Sequence, residues 1–312
     1  MRTVVFGDGM AASMPCVATI GFFDGVHRGH RHLIGEVTAR AREEGVESVV
    51  VTFDRHPRQV VSSDFKPRLL STMEEKLVLL EKSGVDRCVV LPFDRDMAAM
   101  SAQEFMSEIL SKRLGVKVLY TGYDHRFGHN RSEGFSDYVE YGRELDMEVL
   151  QGEPYLLDGV NVSSSVVRSL LEAGELRLVS RCLGYNYTIL GHVVRGEHVG
   201  TAMGFPTANI KVDDDLKLMP ANGVYAVKVR VAGFAEEMTA MLNIGLRPTF
   251  EGKEKTIEAH ILGFSGDIYG RQIAVSFYEK IREERKFRSP AELAAQLDAD
   301  ASEAERILRI EG

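Results

Sequence analysis

Residues 16–37, "CVATIGFFDGVHRGHRHLIGEV", decide the fold. An apolar run of β-forming residues gives way at once to "GFFDGVHRGH" (residues 21–30), which holds three glycines and two histidines. Leu33, Ile34, Val37 and Ala41 then fall on one face at helical spacing, with Gly45 as the stop. A strand that passes into a helix through a glycine-rich turn predicts an anion site. Gly21, Gly25 and Gly29 would let a phosphate chain lie against main-chain N–H groups, at the positive end of the helix dipole. His27 and His30, three apart, project from one face toward that anion. Imidazoles there can donate hydrogen bonds to charge building on phosphorus and on a departing pyrophosphate, with no covalent nucleophile. The plainer alternative is a turn with two solvent-facing histidines. Zinc at His27, His30 and His32 lacks a Cys or Glu at ligand spacing.

From this segment outward the first half alternates strands and helices. "VESVVVTF", "CVVLPF" and "VKVLYTG" read as strands. "STMEEKLVLLEKSG" and "SAQEFMSEILSKRLG" read as helices, with capping boxes at Thr72/Glu75 and Ser101/Glu104. Such alternation predicts an α/β fold, a parallel sheet covered by helices, with ligands at the carboxyl ends of its strands. "GDGMAA" (residues 7–12) imitates a dinucleotide fingerprint, but Pro15 and a new strand leave no room for its crossover helix, so an ordinary turn is expected. Past Gly184 the pattern becomes strand-like runs separated by Gly, Asn and Asp. Tyr225, Val227, Val229 and Val231 alternate with Lys228 and Arg230, the period of an antiparallel strand. Helical spacing returns after Pro290, behind a Ser289 cap. A second domain, an antiparallel barrel or sandwich with a terminal helix, is therefore expected, the helical "SLLEAGELRLVSRCLG" joining the halves.

The 312 residues suit two domains, and 44% hydrophobic with 27% charged residues describe an ordinary globular chain. No apolar run reaches the roughly 20 residues a membrane helix needs, and the N-terminus is too short in apolar residues for a signal core. A net charge of −8 argues against nonspecific nucleic-acid binding. Three scattered cysteines indicate neither a disulfide framework nor zinc, so a cytoplasmic protein without membrane or nucleic-acid partners is expected. A homo-oligomer is compatible with all of this. There is no GxxxxGK[ST] loop and no protein-kinase motif set.

"GFFDGVHRGH" closely resembles the GxFDGxHxGH signature of prokaryotic bifunctional riboflavin kinase/FMN adenylyltransferases (FAD synthetases), and the resemblance covers nearly the whole chain. "TFDRHP" (residues 52–57) resembles the family's TFxPHP, with Arg55 for proline. "GYDHRFGHNRSEG" (residues 122–134) resembles GxDFRFGxxxxG, with His125 for an aromatic. "SSSVVR" (residues 163–168) resembles SSTxIR, and "GTAMGFPTANI" (residues 200–210) resembles the kinase motif ending in GFPTAN, with Thr201 where a basic residue is common.

The resemblance implies a Rossmann-like nucleotidyltransferase domain over residues 1–183. It also implies an antiparallel β-barrel riboflavin kinase domain over 184–312, closed by a terminal helix. It implies ATP as co-substrate, riboflavin, FMN and FAD as substrates and products, and Mg²⁺. His27, His30 and Arg168 are expected to stabilise adenylyl transfer. Gly21, Phe23, Asp24, Gly25, Gly29, Asp124, Arg126, Ser163, Ser164, Ser165, Gly204 and Pro206 are expected at nucleotide and phosphate. Thr207 and Asn209, two apart on an extended segment, offer neutral oxygens suited to Mg²⁺, though an Asn/Thr-stabilised turn would look the same. Glu258, in the alternating "TIEAHIL", is implied as the base for the ribityl hydroxyl; a surface-facing strand carboxylate is the plainer alternative. Asn243, Arg247 and Arg282 are expected near flavin. Two other readings stay open: a monofunctional adenylyltransferase whose barrel only binds flavin, and a non-catalytic flavin sensor.

Overall fold

A computed structural model describes residues 1–7, 14–62, 64–196, 205–249 and 252–310; the side chains of 130, 247–249 and 252–254 are not described. The chain divides into two compact units, Met1–Ser164 and Ser165–Gly312.

The first unit is built on six parallel strands: β1 (Arg2–Val5), β2 (Cys16–Ile20), β3 (Glu47–Phe53), β4 (Arg87–Leu91), β5 (Val116–Thr121) and β6 (Glu148–Gln151). Their order is β1-β4-β3-β2-β5-β6. β2 and β4 are buried throughout, as parallel strands covered on both faces must be. From β2 the chain builds outward through β3 and β4, then returns to the other side of β2 with β5. The gap between the carboxyl ends of β2 and β5 is therefore the topological switch point, the place where open α/β sheets hold ligands.

Helices follow the expected signals. α1 (Arg28–Glu44) buries Leu33, Ile34, Val37 and Ala41 and stops at Gly45, whose φ of 68° suits glycine. α2 (Pro57–Val61) is short. α3 (Met73–Glu81) opens on the Thr72/Glu75 capping box. α4 (Arg95–Ala99) precedes α5 (Ala102–Glu104), whose Ser101/Glu104 box is present, but the chain then widens into a π-helix at Phe105–Arg113. That stretch turns Phe105, Met106, Ile109 and Leu110 into the core, a spacing that fits helical patterns of either width. α6 (Phe135–Glu144) and a small hairpin, β7 (Leu156–Leu157) with β8 (Val160–Asn161), complete the unit.

The second unit starts with α7 (Ser164–Ala173, Ser164 itself lying in the first) and α8 (Leu176–Leu183). A closed antiparallel barrel follows: β9 (Thr188–Val194), β10 (Ala208–Val212), β11 (Gly223–Val231), β12 (Met238–Thr249), β13 (Gly252–Ile261) and β14 (Gln272–Arg282), ordered β10-β13-β12-β11-β14-β9. Tyr225, Val227, Val229 and Val231 face its interior, fully buried, while Lys228 is half-buried and Arg230 exposed. α9 (Pro290–Ile310) starts where the Ser289–Pro290 signal put it, with Ser289 Oγ accepting from the Glu292 N–H. Its Ala304, Ile307 and Leu308 pack on Ala226 and Met241 of the outer barrel face. No described helix is long and apolar enough to cross a membrane.

Candidate active sites

In the first unit the segment after β2 folds into a single 3₁₀ turn, Asp24–Val26, before α1. Phe23 (φ 53°) and Val26 (φ 35°) both carry positive φ, which costs roughly 1–3 kcal/mol per residue and is concentrated at functional loops. The Arg31 guanidinium donates to the Val26 carbonyl at 3.1 Å and holds the strained turn. His27 is the N-cap of α1, buried, its Nδ1 accepting from the His30 N–H at 3.2 Å. That bond fixes the tautomer. Nδ1 carries the lone pair, so neutral His27 keeps its proton on Nε2 and presents a donor. The His30 ring stacks on it, centroids 3.6 Å apart, and the Phe23 ring lies edge-on to His30 at 5.1 Å.

The glycines also have reasons within the turn itself. The Gly21 N–H is taken by the Val51 carbonyl and the Gly25 N–H by Ser71 Oγ. A Cβ at Gly21 would stand 3.1 Å from the Phe23 ring, and one at Gly29 would stand 2.9 Å from the Val162 carbonyl. Gly25 needs its φ of 75°. They let the protein pack against itself. The N–H groups left for an anion are those of Arg28 and Gly29, in the first turn of α1, which have no acceptor among the described residues. Asp24 likewise serves the loop. Its buried carboxylate accepts from the N–H groups of Leu70 and Ser71 at 2.9 and 3.1 Å, and its carbonyl accepts from Ser164 Oγ at 3.1 Å. Gly21, Phe23, Asp24, Gly25, His27, Gly29, His30 and Ser164 thus form one cluster. Ser163 precedes α7 directly; Ser165 and Arg168 lie in its first turns and belong to the second unit.

Across the switch point, Asp124 and Arg126 are exposed on the loop after β5. That loop is pinned by Tyr138, whose hydroxyl bonds the Phe127 main chain and the Glu133 carbonyl. Burial pulls the His125 pKa down to about 4, helped by the nearby Arg131 charge. The His125 ring lies 6.1 Å from the Phe127 ring. Arg55 pairs with Asp54 at 3.0 Å.

In the barrel, register assembles the second cluster. Asn209 faces Glu258, Glu258 faces Asn243, Asn243 faces Val224, and Val224 faces Arg282. Directly opposed residues of antiparallel strands share a face. Their strand neighbours Ala208, Ile210, Ile257, Ala259, Leu242 and Ile244 are buried on the other face. The row therefore lies on the outer surface, with Asn209, Glu258 and Asn243 half-buried. A Cβ at Gly196 would stand 2.0 Å from Asn209 Nδ2, so glycine there is required for that amide to lie as it does.

Arg282 joins the row but is already occupied. It grips the buried Asp300 of α9 through Nε and NH2 at 2.9 and 2.7 Å and donates NH1 to the Glu283 carbonyl. It ties β14 to the terminal helix. Gly204 lies outside the described residues; Arg247 sits on β12 opposite Glu254, its side chain not described. Pro206 is exposed. Sequence reasoning missed His260, two residues from Glu258 on the same strand face. Its Nδ1 donates to the Pro206 carbonyl at 2.8 Å and its ring meets Phe205 at 5.2 Å, so it anchors the segment carrying Thr207 and Asn209. The signal was the i,i+2 spacing in "EAH".

A parallel sheet with a histidine pair at its switch point and a barrel with a carboxylate beside an asparagine offer groups suited to phosphate chemistry. The FAD synthetase family model matches residues 10–166 and the riboflavin kinase model residues 183–308. The chain is 39% identical over 285 residues to the bifunctional riboflavin kinase/FMN adenylyltransferase of Escherichia coli K12, covering 91% of this chain and 90% of that one. It is 38% identical over 290 residues to that of Pseudomonas fluorescens (93% and 92%) and 33% over 296 to that of Bacillus subtilis (93% and 92%). A crystal structure described as a macrolide-efflux protein from Streptococcus pneumoniae superposes with a TM-score of 0.89 at 29% identity, covering 98% of this chain and 99% of that one. The chain belongs to the bifunctional riboflavin kinase/FMN adenylyltransferase family.

Proposed function

We propose that the two activities of this family are divided between the two clusters described above. The chain phosphorylates riboflavin to FMN with ATP, then transfers AMP from a second ATP to FMN, giving FAD and pyrophosphate. The observation that carries the division is the register row, which sets Glu258 beside Asn209 on one half-buried face of the kinase barrel.

In the barrel, Glu258 accepts the proton of the riboflavin 5′-hydroxyl as its oxygen attacks the γ-phosphorus and ADP leaves. Thr207 and Asn209 fit Mg²⁺. They are neutral oxygen donors, and no described group of three or more His, Cys, Asp or Glu side chains could hold a metal alone. Such a pair suits an ion that brings most of its ligands as phosphate oxygens and water. When bound, Mg²⁺ neutralises charge on the transferring phosphates. His260 keeps Thr207 and Asn209 in place through Pro206.

In the first unit, an FMN phosphate oxygen attacks the α-phosphorus of ATP in line and pyrophosphate departs. His27 donates from Nε2, His30 lies stacked beside it, and the Arg28 and Gly29 N–H groups face the same anion. Asp24 and Ser164 hold the turn that aims them. The three cysteines are buried and form no disulfide among the described residues, and burial pushes the Cys16 and Cys88 thiols up to about 11. Purified protein incubated with riboflavin, ATP and Mg²⁺, with flavins resolved by chromatography, should show FMN first and FAD after it. Consumption of FMN without any consumption of riboflavin would remove the kinase assignment.

A further inference from the structure

One buried cation takes no part in the chemistry above. Lys76 of α3 is 1% exposed, and its ammonium makes no hydrogen bond to a described residue. Its Nζ stands 3.7 Å from the centre of the Phe22 ring, a cation–π contact inside the residue 21–30 segment. A buried charge without an acceptor is costly, so space-filling does not explain a lysine where methionine would pack as well.

We propose that Lys76 is a positioning residue for adenylyl transfer, fixing the turn that aims His27 and His30 by clamping Phe22 from behind. This rests on the reading of that turn as the adenylylation site. The same helix braces the turn at a second point: Leu70 and Ser71, just before its Thr72 cap, bind Asp24. Phe22 is itself a junction. Its carbonyl accepts from Thr52 Oγ1 at 3.2 Å, and its ring meets His56 edge-on at 5.0 Å, linking the clamp to residues 52–57. The ionisable groups around the ammonium are Asp24 from the turn, Asp54 after β3 and Cys88 of β4. Burial pulls the Lys76 pKa down to about 8 against the pull of Asp24, so the clamp is charged at neutral pH and discharges as pH rises through that value.

The test is Lys76→Met and Lys76→Arg in the full chain, reading FMN-to-FAD and riboflavin-to-FMN rates, melting temperature and pH profile. Lys76→Met should fold as well as the wild type and keep its kinase rate. Its kcat for FAD formation should drop about tenfold, since misplacement by a fraction of an ångström is that expensive. KM for ATP should move less, and the wild-type decline above about pH 8 should vanish. Lys76→Arg should recover most of the rate. The proposal falls if Lys76→Met keeps the wild-type FAD rate and pH profile. It falls too if both activities decline in step with melting temperature, or if arginine does no better than methionine. A wild-type protein that makes no FAD from FMN would instead sink the reading of the site itself.

Discussion

His27→Asn and His30→Ala are each expected to slow conversion of FMN to FAD by about 10²–10³-fold, the usual cost of deleting one preorganised donor from a developing charge. The choice of asparagine at 27 matters. His27 caps α1 through Nδ1, and alanine would also remove a cap worth about 1 kcal/mol. Asparagine caps well but is too short to reach with a second nitrogen, so it separates helix stability from catalysis. The effect should appear in kcat. Neither substitution should change the rate at which riboflavin becomes FMN, because that chemistry is assigned to the other compact unit. Equal loss of both activities would mean that the histidines support the fold instead.

Glu258→Gln should be the mirror image. It keeps the shape and half-burial of the side chain but cannot accept the ribityl proton, so FMN formation should fall by about 10²–10⁴-fold. Supplied FMN should still become FAD at the normal rate. Glu258 sits in the middle of β13, paired on both sides, where glutamine is accommodated without backbone change. A parallel loss of melting temperature is therefore not expected. If Glu258→Gln makes FMN normally, some other group takes the proton and the row is structural.

The sequence was most readable where local rules and tertiary structure agree. Gly45, Thr72, Ser101 and Ser289 all terminate or cap helices as their residue types predict. The burial of β2 and the alternation in β11 carried the change from parallel sheet to barrel. What was hidden depends on contacts distant in sequence. The need for glycine at 29 comes from the Val162 carbonyl, and the task of Asp24 comes from Leu70 and Ser71, both far along the chain. Arg282 looks like a free cation in sequence because its partner Asp300 lies a barrel edge and a helix away. Nothing in "EEKLVLL" says that Lys76 faces inward, since lysine at helical spacing is ordinarily solvated. The π-helical widening after Glu104 leaves the apolar pattern unchanged and so left no trace in it.

The central claim is that two separable centres, one in each unit, act in succession. The most direct test mixes two inactivated proteins, His30→Ala and Glu258→Gln, with riboflavin, ATP and Mg²⁺, and follows FAD by chromatography. Each alone should fail to reach FAD, the first stopping at FMN and the second leaving riboflavin untouched. Together they should make FAD, as FMN released by one is adenylylated by the other. A mixture that leaves FMN as the final product, or never consumes riboflavin, would contradict the division of labour.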